Sequence, residues 1–416
     1  MQHGSTVSLP AAHPPDGQQE AGAAGLDRQP VVSHAESVSP SLNLTTDRQN
    51  AQAKQYHRIK IWLSLASTAL FFAVTLVVVL TGLSVAVENY VRQFTTNDYV
   101  ALLLFAALLG LMETVVAFPL KYYSGFHIEH RFRLSNQTFG QWLWEGFKGA
   151  LVGMVIGTPI LLAFYYCLKV AGELWWLPVG GVLFVVSVVL ARLAPTFIFP
   201  LFYRFKPLED GEMKQRILKL CERVGMAVEG VFVFNLSKNT KKANAAFTGI
   251  GKSKRVILGD TLVANFTDEE VETVVAHELG HFKLKHIWVM MIVGTVSTFL
   301  GLFLTAQLYH MSLVWFGFTS IDQLAALPLL SLWLGLYSLV TTPISNAISR
   351  AHERQADRYA VELTSNAQAF TNALQKLAKV NLADPSPHPV IEFMFHSHPS
   401  IEKRVRFVQE VGRKLG

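Results

Sequence analysis

The residues best suited to chemistry are His277, Glu278 and His281, in the run His277-Glu278-Leu279-Gly280-His281. On a helix, positions four apart differ by about 400° of rotation, so both imidazoles leave one face, one turn apart. That spacing lets two histidines share a tetrahedral Zn²⁺. Glu278 lies about 100° round from His277, close enough to take a proton from a water at the metal without being a ligand. The metal would lower that water's pKa and polarise a scissile carbonyl. A polar helix carrying two hydrogen-bonded histidines is the plain alternative, and context decides between them.

The context begins with the helix itself. Thr267 followed by Glu270 forms a capping box, with Asp268, Glu269 and Glu270 in the first turn, so a helix should start here. A catalytic zinc needs a third protein ligand. The candidate is Glu353, in Ser349-Arg350-Ala351-His352-Glu353-Arg354-Gln355-Ala356-Asp357. Asp357, one turn on, is placed to accept the second N–H of a ligating histidine. An ordinary charged helix would also explain this stretch. His286 and His352 are set aside as ligands; His286 is about 140° round the helix from His281.

These residues sit in a chain of 416 residues that is 51% hydrophobic and 16% charged, with mean hydropathy +0.31. Soluble domains carry about 25% charged residues, so the balance points to a membrane. Six runs are long enough to span a bilayer, near 61–87, 99–120, 148–170, 175–201, 287–309 and 324–348. The fourth ends in Pro195-Thr196-Phe197-Ile198-Phe199-Pro200, which should break its end. Residues 1–56, polar and without apolar periodicity, read as a disordered tail. Two cysteines, Cys167 and Cys221, offer no disulfide framework, and no basic-aromatic stripe suggests nucleic acid as a partner.

Loop charges give the orientation. Lys54, Arg58 and Lys60 precede the first span, Lys121, Arg131, Arg133 and Lys148 separate the second and third, and 202–286 and 350–416 hold most of the rest. The alternate loops carry only Arg92, so both termini and the 202–286 segment should face the cytoplasm. That segment reads as a small α+β domain. It has helical spacing over 209–224, strands at Val231-Phe232-Val233-Phe234 and Arg255-Val256-Ile257-Leu258, and a weaker strand at Asn244-Ala245-Ala246-Phe247. Gly249-Ile250-Gly251-Lys252 supplies the turn between the last two. An edge strand there could pair with an extended substrate. The chain thus divides into the 1–56 tail, spans over 57–201, the 202–286 domain, spans over 287–349 and a 350–416 segment.

His281 precedes the fifth span, and Glu353 follows the sixth, by about six residues each, or roughly 9 Å of helix. The metal should lie within about 10 Å of the membrane boundary, where a membrane-tethered substrate suits it better than a soluble one.

With these residues in place the chain resembles the integral-membrane type I CAAX prenyl proteases, zinc endopeptidases of the gluzincin kind. The likeness runs from about residue 99 to the C-terminus. It covers His277 to His281, Ser349-Arg350 through Glu353 to Asp357, Pro200-Leu201-Phe202 with Pro207-Leu208-Glu209-Asp210-Gly211, Asn244 to Phe247, and His398-Pro399 with Arg404. The resemblance implies one zinc per chain on His277, His281 and Glu353, with Glu278 as base. It implies that Asn244, Ala245, Ala246 and Phe247 hold substrate backbone, and that His398 and Arg404 stabilise the oxyanion. It also implies a helical cage around an intramembrane chamber, capped by a cytoplasmic zinc domain. Animal and fungal members have seven spans, whereas six are counted here.

The expected function is a membrane zinc endopeptidase that cleaves prenylated or otherwise membrane-tethered polypeptides near the C-terminus. The membrane would be a bacterial inner membrane or the endoplasmic reticulum. A stress-type quality-control metalloprotease is the alternative; those relatives lack the Pro207-to-Gly211 and His398-Pro399 elements. A non-catalytic scaffold is disfavoured, because base, three ligands and Asp357 stand together.

Overall fold

The computed structural model describes residues 40–249 and 254–415, with side chains from residue 48. Residues up to Leu44 form one unit, of which the described part is helical, and Thr45 onward forms a second, compact unit. The expected disorder of residues 1–39, and most of the Gly249-to-Lys252 turn, lie outside the described residues. The tail is shorter than 1–56. Helix α1 runs Pro40–Leu80, and Ala53 and Tyr56 on it are buried. The Tyr56 hydroxyl donates to Glu129 at 2.7 Å, and Lys60 and Lys242 each approach the same carboxylate at 3.1 Å. Polar composition hid this stretch because its helix is fixed by tertiary contacts rather than by apolar periodicity.

The expected first span also ends early. Gly82 adopts a left-handed φ of 72°, which breaks the run and starts a separate helix α2, Leu83–Arg92. Then follow α3 (Asp98–Tyr122), a π turn at Tyr123–His127, α4 (Ile128–Arg131), α5 (Phe139–Ala171) and α6 (Trp176–Leu193). A second π turn, Ala194–Ile198, and α7 (Phe199–Phe202) end the fourth span; Pro195 and Pro200 withhold backbone donors there.

Among the described residues six helical stretches are long and apolar enough to cross a bilayer: Arg48–Leu80, Asp98–Arg131, Phe139–Leu174, Trp176–Phe202, His286–Trp315 and Leu324–Thr364. Their outward side chains are apolar and bare, as at Leu111, Val155, Val296 and Val340. A soluble fold would bury such groups; here hydrocarbon is the solvent they fit.

Between the fourth and fifth spans lies the small domain. Its elements are β1 (Phe205–Pro207), α8 (Glu212–Arg223), β2 (Gly230–Phe234), β3 (Ala245–Thr248), β4 (Arg255–Gly259), α9 (Asp260–Asn265) and α10 (Asp268–Lys283). The sheet has the order β1-β2-β4-β3, with β2 and β4 parallel and both outer strands antiparallel to their neighbours. Three-residue β1 is too short to show any period in sequence. The capping box forms: Thr267 Oγ1 accepts from Glu270 N at 3.3 Å, and Glu270 Oε2 accepts from Thr267 N at 2.9 Å. Past α10 come α11 (His286–Trp315), α12 (Leu327–Thr364), α13 (Ala367–Asn381), α14 (Pro389–Phe395) and α15 (Ile401–Leu415).

The boundary expected at 349/350 is not a break. Helix α12 is continuous over 38 residues, so the sixth span and Glu353 belong to one rod. One apolar core joins the domain to this rod. In it Ile217, Val231, Leu258, Val275, Leu279, Val361, Phe370 and Val408 come from α8, the sheet, α10, α12, α13 and α15.

Helices α10 and α12 touch at Gly280. A Cβ there would stand 3.1 Å from Ala356 Cα and 3.3 Å from its carbonyl oxygen. Backbone cannot yield as a side-chain tip can, so glycine sets the separation. Gly280→Val should cost about 1–3 kcal/mol by overpacking. A lowered melting temperature and weakened metal binding should appear together. Gly280→Ala should do less, because alanine regains about 1 kcal/mol of helix propensity. Unchanged melting and metal binding in the valine variant would show that the spacing is set elsewhere.

Candidate active site

Each ligand candidate comes from an i, i+4 pair, and the two pairs face each other on antiparallel helices. His277 and His281 lie on α10; Glu353 and Asp357 lie on α12. His277 Nε2 and His281 Nε2 are 3.2 Å apart, His281 Nε2 is 3.2 Å from Glu353 Oε1, and His277 Nε2 is 3.4 Å from Glu353 Oε2. One donor atom from each of the three lies within 4.8 Å of the other two. Helical spacing and the Gly280 contact produce this convergence without any irregular backbone.

Behind the ligands sits a second row. Asp357 Oδ1 is 2.9 Å from His277 Nδ1 and is fully buried. Arg404, from α15, grips the same carboxylate with two bonds, Nη2 to Oδ1 at 2.6 Å and Nε to Oδ2 at 2.9 Å. Its Nη1 is 3.5 Å from Glu353 Oε2. The guanidinium is thus committed to the two carboxylates of α12. Burial opposes charge on His277, but Asp357 and Glu353 more than offset it and lift the imidazole to about 9. Burial also pushes the Glu278 carboxyl up, against the pull of His277 and His281.

His398 reaches the same centre from the connection between α14 and α15. Its Nδ1 is 2.8 Å from Glu353 Oε2, while 60% of the side chain remains exposed. Three contacts hold that connection. Arg350 Nη1 donates to the carbonyls of Glu392 at 3.1 Å and His396 at 2.6 Å, and Asn346 Nδ2 donates to Met394 O at 3.0 Å. Buried Glu392 accepts from Lys403 Nζ at 2.7 Å, tying α14 to α15. Sequence reasoning quoted Arg350 without a role. Its signal, an arginine one turn before the third ligand, is visible only when its carbonyl partners are known.

Strand β3 is an edge of the sheet and runs beside α10, with the Phe247 ring 5.4 Å from that of Phe282. Ala245, Ala246 and Phe247 lie in it; Asn244 precedes it, its carbonyl accepting from Gly259 N at 2.8 Å. Asn381 brackets the entry to the strand, accepting from Ala243 N at 3.0 Å and donating to Ala243 O at 3.3 Å.

His286 is the functional neighbour that helical-wheel reasoning misplaced. The helix does not continue: α10 stops, Lys285 takes a left-handed φ of 59°, and α11 starts afresh at His286. The turn brings His286 Nδ1 to 3.1 Å from His281 Nδ1 and its Nε2 to 2.9 Å from Gln355 Oε1. An amide oxygen only accepts, so His286 carries its proton on Nε2 and offers a lone pair at Nδ1. His281 then donates through Nδ1 and keeps Nε2 free for a metal. His352 stacks on His286 with ring centroids 4.2 Å apart.

Comparison with known proteins follows the same lines. Residues 207–411 match peptidase family M48, and residues 28–204 match the family described as CAAX prenyl protease N-terminal, five membrane helices. The CAAX prenyl protease 1 of Saccharomyces cerevisiae is 34% identical over 78% of this chain and 75% of its own. The chain is a member of the M48 CAAX prenyl protease family. The uncharacterized metalloprotease YhfN of Bacillus subtilis is 29% identical over 86% of this chain and 85% of its own. The crystal structure of S. mikatae Ste24p superposes with a TM-score of 0.79 at 31% identity, covering 87% of this chain and 89% of that one. This family member is therefore an integral, multi-pass membrane metallopeptidase. Within the matched N-terminal region the described residues supply four of the long apolar helices, together with short α2.

Family membership implies a metal, and the residues fit one. Donor separations of 3.2–3.4 Å match the edges of a tetrahedron, about 3.3 Å for ligand bonds of about 2.0–2.1 Å. Glu353 Oε2 is buried with no well-directed hydrogen bond. Glu278, Glu353 and Asp357 gather round the guanidinium of Arg404 and the His277 imidazole they hold protonated, and a divalent cation would supply the positive charge in place of that proton. Metal analysis should show zinc lost from His281→Ala and Glu353→Ala. His286→Ala should retain the fold and weaken zinc binding about 10–100-fold in chelator competition. His286→Asn, which keeps an acceptor, should lose less. Full zinc occupancy in either ligand variant would remove that residue from the set.

Proposed function

We propose that the protein is a zinc endopeptidase that hydrolyses prenylated or otherwise membrane-tethered polypeptides near the C-terminus, with one zinc held by His277, His281 and Glu353. The observation that carries this reading is the convergence of those three side chains within 4.8 Å, two on the helix that precedes the fifth span and one on the helix that carries the sixth. Zinc bound there supplies Lewis acidity, acidifying water and polarising a carbonyl. Glu278 takes the proton of the attacking water and passes it to the leaving amine. Asp357 fixes the His277 tautomer, and Arg404 holds Asp357 against it. Exposed His398 is the donor to the developing oxyanion. The free edge of β3, led by Asn244, holds substrate backbone in extended form. The spans form the chamber through which a lipidated chain end reaches the site, and the domain and both termini face the cytoplasm.

The named relatives support a prenylated substrate, since the yeast protein is a CAAX prenyl protease and the match extends over the N-terminal spans. Purified enzyme should cleave a prenylated C-terminal peptide and leave its unprenylated counterpart. Cleavage of unfolded membrane proteins alone would instead assign quality control.

Two variants test the site, and reporter fusions test the spans. Glu278→Gln should keep zinc and lose about 10²–10⁴ in rate, because the amide preserves shape but cannot accept a proton. His398→Ala should also keep zinc, with its defect mostly in kcat, since an oxyanion donor acts on charge present only in the transition state. An emptied metal site in His398→Ala, or an untouched kcat, would return that segment to a structural role. Reporter fusions after residues 94, 230 and 316 should read outside, inside and outside; another order would overturn the orientation.

A further inference from the structure

The sheet has two faces, and the catalytic helix covers only one. Val231, Val256 and Leu258 point into the core shared with α10, and the alternating Phe232 and Ile257 point away from it. Between that second face and the π turn that ends the fourth span lies a cavity of about 570 Å³. Phe199, Phe205, Phe232 and Ile257 contribute apolar surface, while Arg192, Arg204, Lys206 and Arg255 supply cations. No carboxylate lines it among the described residues. Arg255 is neutralised by Glu229, with bonds of 2.6 and 2.8 Å. Arg192, Arg204 and Lys206 have no ion pair among the described residues. Three unopposed cations beside one cavity constitute an anion site in search of an anion.

The position says which anion. Arg204 and Lys206 follow the end of the fourth span at Phe202, and Arg192 is in the last turn of α6. Just beyond it Phe197 and Leu201 are 63% and 54% exposed, on the same short segment as the cavity wall. Cations at the end of a span, next to bare apolar side chains, match a molecule with a phosphate above and acyl chains below. A soluble anion would use the cations and leave the aromatic surface without purpose. We propose that this cavity binds the headgroup phosphate of an anionic phospholipid, its acyl chains lying along Phe197 and Leu201. Bound there, the lipid bridges Arg204 and Lys206 of the β1 edge to Arg192 of the fourth span. It thereby braces the catalytic sheet against the membrane helices.

The test uses the full chain purified in detergent, titrated with phosphatidylglycerol, with phosphatidylcholine of matched chains, and with inorganic phosphate. Lipid retention is read by native mass spectrometry and stability by thermal unfolding. Phosphatidylglycerol should be retained and should raise the unfolding temperature, in a salt-sensitive way, while phosphatidylcholine and phosphate should do neither. Arg204→Gln/Lys206→Gln and, separately, Arg192→Gln should weaken retention about fivefold per cation removed. Arg406→Gln/Lys414→Gln, on exposed α15, should leave it unchanged and controls for general charge. These positions are exposed or at a strand edge, so the variants should fold, and intact zinc content would verify it. Equal retention by the variants, or of phosphatidylcholine, would overturn the site. Full stabilisation by inorganic phosphate would reassign it to a free anion.

Discussion

The backbone contact between Gly280 and Ala356 is the constraint on which the site depends. At that contact two helices run antiparallel so close that a Cβ on Gly280 would press on the Ala356 backbone at 3.1 Å. Each helix presents two side chains one turn apart, and the close approach sets one pair against the other. A wider crossing would leave His277 and His281 on a polar helix face with Glu353 across a gap. Everything else in the domain maintains this approach. The sheet and α8 back α10 from one side, and α13 and α15 back α12 through Phe370 and Val408. Such a core is rigid because interior packing leaves little room for adjustment.

Around the ligands the hydrogen bonds form two separate lines of support. One runs from His277 through Asp357 to Arg404, charge against charge and buried. The other runs from His281 through His286 to Gln355, made of neutral groups and turned towards the start of the fifth span. The two histidines thus reach the same centre with different electrostatic backing. The strongly supported one lies deep, and the neutral one lies near the membrane end. A buried charged chain is stabilising only when every member is satisfied, and the doubly bonded Arg404–Asp357 pair meets that condition.

Much of this was legible in the residues. The capping box, the i, i+4 histidines and the glutamate beyond the sixth span all follow from helical period and from the ligand count of zinc. The six apolar helices follow from composition and length. What stayed hidden depended on backbone breaks and on distant partners. His286 looked misplaced because a helical wheel assumes continuity, and Lys285 breaks it with a conformation that nothing about lysine announces. Gly82 split the first apolar run, although the run's hydropathy did not change. The helix over residues 40–56 was read as a tail because its supports, Glu129 and Lys242, are far away in sequence. For Arg404 the resemblance implied an oxyanion role, and its two bonds to Asp357, 47 residues away, are a partnership that no local pattern displays.

The order of the site residues along the chain has a consequence for biosynthesis. His277 and His281 are synthesised before the fifth span, Glu353 on the helix of the sixth, and Arg404 later still. No subset of the earlier residues makes a site. The cluster of His277, His281 and Glu353 comes together only when the hairpin of the fifth and sixth spans has formed, returning α12 to α10, and α15 has been made to pack behind it. A nascent chain therefore carries Glu278 and the two histidines before Glu353 exists to join them. The cluster thus assembles only in a chain that is already embedded, and order of synthesis alone ties the one to the other.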